Sequence, residues 1–235
     1  MCGRYTMITK AEDLEERFHA QLAPELAGST YNAAPSQAQL TILHDHPHAI
    51  VRAAWGFVPG WADGRRDVKP LINARAETAA TKPFFHTAFK SHRCLVLADG
   101  FYEWRRIKGG KVPYRIALKT EEPLAFAGIW STIHDANGQA HPTFAILTTD
   151  ANALVAQIHN RMPVILRPED EERWLGKEVS VEAALELLMP FPADLMTAYE
   201  VSAKVNSPAY NTPAAIRAIG HEASSHLVDG VPKRL

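Results

Sequence analysis

Between Arg93 and Thr149 the chain is a succession of short runs rich in β-branched and aromatic residues: RCLVLAD (93–99), FYEWRRI (101–107), VPYRIAL (112–118), PLAFAGIW (123–130) and PTFAILTT (142–149). Turn residues separate them, most plainly Gly109-Gly110, which closes a hairpin between FYEWRRI and VPYRIAL. Two earlier runs, QLTILH (39–44) and AIVRAA (49–54), are joined by a turn at Asp45, His46 and Pro47. Hairpin-like neighbours outnumber strand–helix–strand units, so the pattern predicts an α+β fold built on antiparallel sheet.

Helices are predicted around that sheet. Thr9-Lys10-Ala11-Glu12 has the capping-box spacing, and Leu14, Phe18 and Leu22 follow at helical intervals, giving a helix over 10–22. Further helices are expected at 77–90, from an Asp150 cap to Ile158, at 168–175 and at 181–188. The stretch Trp55–Pro70 mixes aromatics, Gly, Pro and basic residues without period and reads as an ordered loop. The residues after Gly220 read as a polar tail.

Composition narrows the function. Lys and Arg number 25 against 26 Asp and Glu, a formal charge of -1, so any nucleic-acid contact must come from a local basic patch. No apolar run approaches a membrane span and no signal peptide is evident, which places the expected location in the cytoplasm, at the nucleoid if the source is bacterial. Two cysteines, Cys2 and Cys94, exclude a disulfide framework. His44, His46 and His48 lie on a turn that would splay their rings, so neither a metal site nor any other cofactor is expected.

Loss of the initiator Met1 would expose Cys2 as a 1,2-aminothiol. An α-amine with an ordinary pKa of about 7.7–8.0 and a thiol near about 8.5 are each partly deprotonated near neutrality. The amine can form a Schiff base with an aldehyde and the thiol can close it to a thiazolidine. Cys2 is equally readable as a small buried hydrophobe of a first strand. Three internal clusters accompany it. In LINARAET (71–78), alternation puts Asn73 and Arg75 on one face, suited to a sugar oxygen and a phosphate, or else Arg75 pairs with Glu77. In DGFYEW (99–104), Glu103 between Tyr102 and Trp104 is set to be desolvated and held protonated as a general acid, or to be a surface residue of a hairpin. In IHNRMP (158–163), His159 at a helix end would favour its protonated form, and Arg161 could hold a phosphate; a plain structural histidine fits equally.

MCGRYT, YNAAPSQ (31–37), WGFVPGWA (55–62), INARAET (72–78), DGFYEW (99–104) and IHNRMPVIL (158–166) together resemble, in order, the SOS-response-associated peptidase (SRAP) family of abasic-site processing proteins, over about residues 1–220. The resemblance implies one domain, residues 1–220, with a twisted, partly barrel-like antiparallel core, followed by the tail 221–235. It implies a monomer that binds single-stranded DNA containing abasic sites and crosslinks to the opened sugar through Cys2, with Asn73, Glu103 and His159 as the other catalytic positions. DNA contacts are implied at Arg4, Asn32, Pro35, Trp61, Arg75, Thr78 and Arg161. Lyase side chemistry and removal of the protein's own leading residue accompany that reading. Some relatives carry paired tryptophans where this chain has Trp61-Ala62, so Arg65 and Arg66 are expected to add charge instead. Two other classes compete: an N-terminal-nucleophile amidohydrolase of the glutamine amidotransferase kind, which also begins Met-Cys-Gly, and a non-catalytic single-strand binder.

Overall fold

The computed structural model describes residues 2–65 and 67–219. In chain order it comprises β1 (Tyr5–Met7), α1 (Ala11–Phe18), β2 (Gln21–Leu22), β3 (Thr30–Ala33), β4 (Ala38–Leu43), β5 (Ala49–Trp55), β6 (Asn73–Arg75), α2 (Ala76–Ala79), α3 (His86–Ser91), β7 (Arg93–Ala98), β8 (Gly100–Ile107) and β9 (Gly110–Leu118). β10 (Leu124–His134), β11 (Ala140–Asp150), β12 (Arg161–Pro163), α4 (Pro168–Leu175), α5 (Val181–Glu186) and β13 (Met196–Glu200) complete it. One sheet runs β12-β11-β10-β7-β4-β5-β2, and a further pairing of β11 with β5 closes β11, β10, β7, β4 and β5 into a barrel. All the barrel contacts are antiparallel except that closing one, where Thr143 and Phe144 lie beside Ala54 and Trp55 in parallel. A second sheet, β13-β9-β8-β1-β3, leans on it. The α+β class and the barrel-like core are therefore as the sequence and its resemblance imply.

Barrel packing also sets the N-terminus. Tyr5 of β1 is fully buried, 5.1 Å from the Trp55 ring and 5.8 Å from the Phe126 ring, and Trp55 stacks on Phe144. Each such aromatic contributes about 1.5–3 kcal/mol by leaving water. β1 pairs antiparallel with β8, Tyr5 opposite Phe101, and the Tyr102 amide bonds the Arg4 carbonyl at 2.9 Å, so the pairing runs on toward Cys2. Asp99 clamps this junction, accepting from Thr6 Oγ1, the Ile8 and Thr9 amides and Arg115. Gly100 is needed beside it: a Cβ there would stand 2.9 Å from the Ile116 carbonyl and 3.0 Å from the Arg115 guanidinium.

Several helix boundaries differ from the sequence pattern. Thr9 does not cap α1, because its amide and hydroxyl are held by Asp99, and Lys10 takes the N-cap position without a side-chain bond. α1 stops at His19, which adopts a left-handed φ of 50°, and Leu22 then joins a short strand beside β5. The predicted 77–90 helix is two helices, α2 and α3, interrupted around Pro83, whose ring cannot continue a helix. The Asp150–Ile158 helix is absent: Asp150 ends β11 and only a turn of 3-10 helix, Val155–Gln157, follows, with the Val155 amide donating to Asn152 Oδ1. In the β8–β9 hairpin, Ile107 faces Gly110, so the turn is Lys108-Gly109, with Gly109 at φ 91°. The predicted tail after Gly220, and Arg66, lie outside the described residues.

Candidate active site

β11 is the strand that gathers the site. β6 lies parallel to one stretch of it, with Asn73 opposite Ile146, and β12 lies antiparallel, with Arg161 opposite Asp150. β1 and β8 come from the second sheet and bring Cys2 and Glu103. Asn73 Nδ2 donates to the Cys2 carbonyl at 2.8 Å, and His159 Nδ1 lies 4.0 Å from Glu103 Oε1, the outer limit of an ion pair. The four positions named as catalytic from sequence therefore converge, although Cys2 and His159 are separated by most of the chain.

The Cys2 side chain is fully buried, and Sγ donates to the Arg4 carbonyl at 3.6 Å. Burial pushes the thiol well above its ordinary pKa, and the neighbouring Glu103 charge pushes it further. This corrects the expectation of a partly ionised thiol at neutrality: burial holds the sulfur as a protonated thiol. Glu103 is only 3% exposed, and burial raises its pKa, opposed in part by His159. The aromatic-flanked carboxyl is thus a buried acid and not a surface residue of the hairpin.

Asn73 is half satisfied. Its Nδ2 is engaged by Cys2, while Oδ1 is buried without a hydrogen-bond partner among the described residues. A buried orphan acceptor beside a nucleophile is an opening for a ligand hydroxyl or N–H. His159 is held by the backbone: the Arg161 amide donates to Nδ1 at 3.0 Å, and the Arg161 carbonyl lies 3.1 Å from the same nitrogen. With Nδ1 accepting, the neutral ring carries its proton on Nε2. The helix end expected to bias this histidine does not exist, since only the 3-10 turn precedes it.

The remaining sequence-named residues divide. Arg75 is exposed on the Asn73 face of β6 and makes no ion pair among the described residues; Glu77 pairs instead with Arg161. Arg161 is already engaged, with Nη1 to Glu77 at 2.5 Å and Asp150 at 2.7 Å and Nη2 to the Thr148 carbonyl at 2.6 Å. Arg4 donates to Asn32 Oδ1 and to the Val205 and Asn206 carbonyls. Asn32 is 1% exposed, and its amide donates to the carbonyls of Val205, Ser207 and Tyr210. As a direct DNA contact Asn32 is inaccessible; it holds the 205–210 segment against Arg4. Thr78 Oγ1 is a second buried orphan. Pro35 starts the turn after β3, with Ser36 at φ 72°. Trp61, 57% exposed on the Gly60–Ala62 turn, stands edge-on to Phe84. Arg65 lies 5.8 Å over the Trp61 ring but is paired with Asp67, so it adds less charge than expected.

A cavity of about 190 Å³ opens at the site, lined by Glu103, Trp104, Arg106, Lys111 and His159. Trp104 was expected only as an aromatic flank of Glu103, and Arg106 and Lys111 were not singled out from sequence. The signal for them was present: alternation along β8 places Arg106 with Trp104, and a two-residue turn brings Lys111 opposite Arg106. A larger cavity of about 720 Å³ lies between α1 and α4, where Arg17 and Glu171 already pair at 2.7 Å; it contains none of these residues. Among the described residues no group of three or more His, Cys, Asp or Glu side chains could hold a metal, and no helix is long and apolar enough to cross a membrane.

Residues 1–208 match the model of the family described as SOS response associated peptidase (SRAP). The chain is 42% identical over 221 residues to the abasic site processing protein YoqW of Bacillus subtilis, covering 92% of this chain and 99% of that one. It is 33% identical to the abasic site processing protein YedK of Escherichia coli over 88% of this chain and 95% of the relative, and 30% identical to mouse HMCES, also named an abasic site processing protein, over 92% and 75%. A crystal structure of a Bacteroides thetaiotaomicron protein superposes with a TM-score of 0.84 at 30% identity, covering 93% of this chain and all of that one.

Proposed function

The chain belongs to the SOS response associated peptidase family, and from that premise we propose that it processes abasic sites in single-stranded DNA by forming a covalent thiazolidine between Cys2, freed of Met1, and the ring-opened sugar. The observation that carries this reading is the grouping of a position-2 cysteine with a buried acid, an imidazole and an orphan amide oxygen, at Glu103, His159 and Asn73. An aminothiol, a proton donor, a proton carrier and a hydroxyl acceptor are what capture of a sugar aldehyde requires.

The steps balance. His159 carries the proton from the anomeric hydroxyl to the ring oxygen as the sugar opens, while Asn73 Oδ1 accepts from a sugar hydroxyl. The Cys2 amine adds to the aldehyde carbon. Glu103 gives its proton to the departing hydroxyl, water leaves, and an iminium remains. Sγ then attacks the iminium carbon, the π pair moves to nitrogen, and the Sγ proton returns to Glu103. Net, one C–N and one C–S bond form and one water is released. The raised Glu103 pKa suits both roles, because burial makes the carboxyl hold its proton more tightly than an exposed one, so it can give up a proton and regain it. The amine leads because the buried thiol is not ionised beforehand. β-Elimination from the same iminium is the lyase side path.

Incubation with an oligonucleotide carrying an abasic aldehyde is expected to give a band that survives denaturation. An analogue with the anomeric carbon reduced should give none; equal yields from both would overturn the proposal. Trp61 is assigned to stacking on a base beside the lesion. A stacked base contributes about 1–3 kcal/mol, so Trp61→Ala should weaken single-strand binding roughly ten-fold, read by fluorescence anisotropy, with little change in thermal stability because the ring is mostly exposed.

A further inference from the structure

We propose that Arg106 and Lys111 form a phosphodiester-binding site at the rim of the Glu103–His159 cavity, holding the DNA backbone beside the reacting sugar; this rests on the abasic-strand reading above. The two residues are cross-strand partners in the β8–β9 hairpin, and both line that cavity. Both are exposed, and neither makes an ion pair among the described residues. Like charges directly opposite each other weaken a strand pair unless something neutralises them. An anion between the two side chains would do so.

The neighbouring cations do not fill this role. Arg105, the next residue on β8, lies 4.9 Å over the Tyr114 ring. Arg4 is bonded to the Val205 and Asn206 carbonyls, and Arg161 to Glu77 and Asp150. A strand entering the site therefore meets unpaired positive charge at Arg75 on the β6 side and at Arg106 and Lys111 on the β8–β9 side. The polarity of the cavity also selects the ligand. Its rim is cationic and its inner wall carries the buried Glu103 carboxyl and His159, a pattern that puts a phosphate at the rim and an uncharged sugar inside. Arg106 supplies a planar fork for two phosphate oxygens and Lys111 a point charge.

The test uses the full chain and an undamaged single-stranded oligonucleotide, so that binding is read without the covalent step. Each lost phosphate contact lowers the salt slope by about 0.7 for a single strand, which at ~0.1 M salt is roughly a five-fold loss of affinity. Arg106→Ala and Lys111→Ala should each show that change, and the double variant roughly 25-fold. Lys119→Ala, just past the far end of β9, is the control for net charge and should bind as the parent does. Arg106→Glu should lose more affinity than Arg106→Ala while its thermal midpoint holds or rises, since it replaces a like-charge pair by an opposite one. Losses no larger than that of Lys119→Ala, or losses that track a falling thermal midpoint in every variant, overturn the site. Failure of the parent protein to crosslink would overturn the Cys2 chemistry alone, because the salt slope does not depend on it.

Discussion

Cys2→Ser, mixed with abasic single-stranded DNA, is expected to give an adduct that borohydride can capture but that disappears on denaturation without it. Serine keeps the α-amine, so the Schiff base still forms. It replaces sulfur by a far weaker nucleophile, so the ring that makes capture durable does not close. The fold should tolerate the change: serine is close in size to cysteine, and its hydroxyl can donate to the Arg4 carbonyl as Sγ does. Binding to undamaged DNA should stay at the parent level, which separates loss of chemistry from loss of affinity. Cys2→Ala should behave in the same way, and the two variants together assign durability to the sulfur.

Glu103→Gln is expected to slow adduct formation by about 10²- to 10⁴-fold, the usual contribution of a positioned acid–base group. Its pH dependence carries the sign of the burial effect. Burial holds the carboxyl protonated above its ordinary range, so the parent rate should fall as pH climbs through the raised Glu103 pKa. The glutamine variant should lose that fall. Stability should move the other way. A carboxyl whose folded pKa is raised favours the folded state at pH below its ordinary unfolded value, and that contribution is lost as pH rises through the folded pKa. Glu103→Gln should therefore be at least as thermally stable as the parent at pH above the folded Glu103 pKa, with the difference shrinking as pH falls to the ordinary carboxyl range. A residue whose replacement stabilises the protein while disabling it is held there for function.

Much of the architecture could be read from strand-length runs and their turns. The β8–β9 hairpin, β10, β11 and α4 fall within a few residues of their expected places because period-two alternation and turn chemistry are local. What local pattern could not convey is competition from elsewhere in the chain. Thr9 has the right spacing for a cap but is taken by Asp99, some ninety residues away. Asp150 could open a helix but is drawn into β11 by its pairing with Arg161. The parallel closure of β5 on β11, which makes the barrel, leaves no mark in either strand's own sequence.

The candidate site was legible to a similar depth. Cys2, Asn73, Glu103 and His159 were identifiable by chemistry and resemblance, and alternation correctly put Asn73 and Arg75 on one face. Their ionisation was not legible. Burial and the neighbouring Glu103 charge push the thiol toward its protonated form, and the histidine lacks the helix end that was expected beside it. Motif position also could not show that Arg161 holds Glu77 and Asp150 or that Arg4 holds the 205–206 backbone.

The central claim is that Cys2, as the first residue, joins both its nitrogen and its sulfur to one sugar carbon. Intact mass spectrometry of the purified protein after reaction with an abasic oligonucleotide tests it most directly. The expected species has the mass of the chain without Met1 plus the oligonucleotide less one water, and digestion should place the sugar on the peptide Cys2-Gly3-Arg4. A chain that retains Met1 in the adduct, or a sugar carried on any other residue, would contradict it.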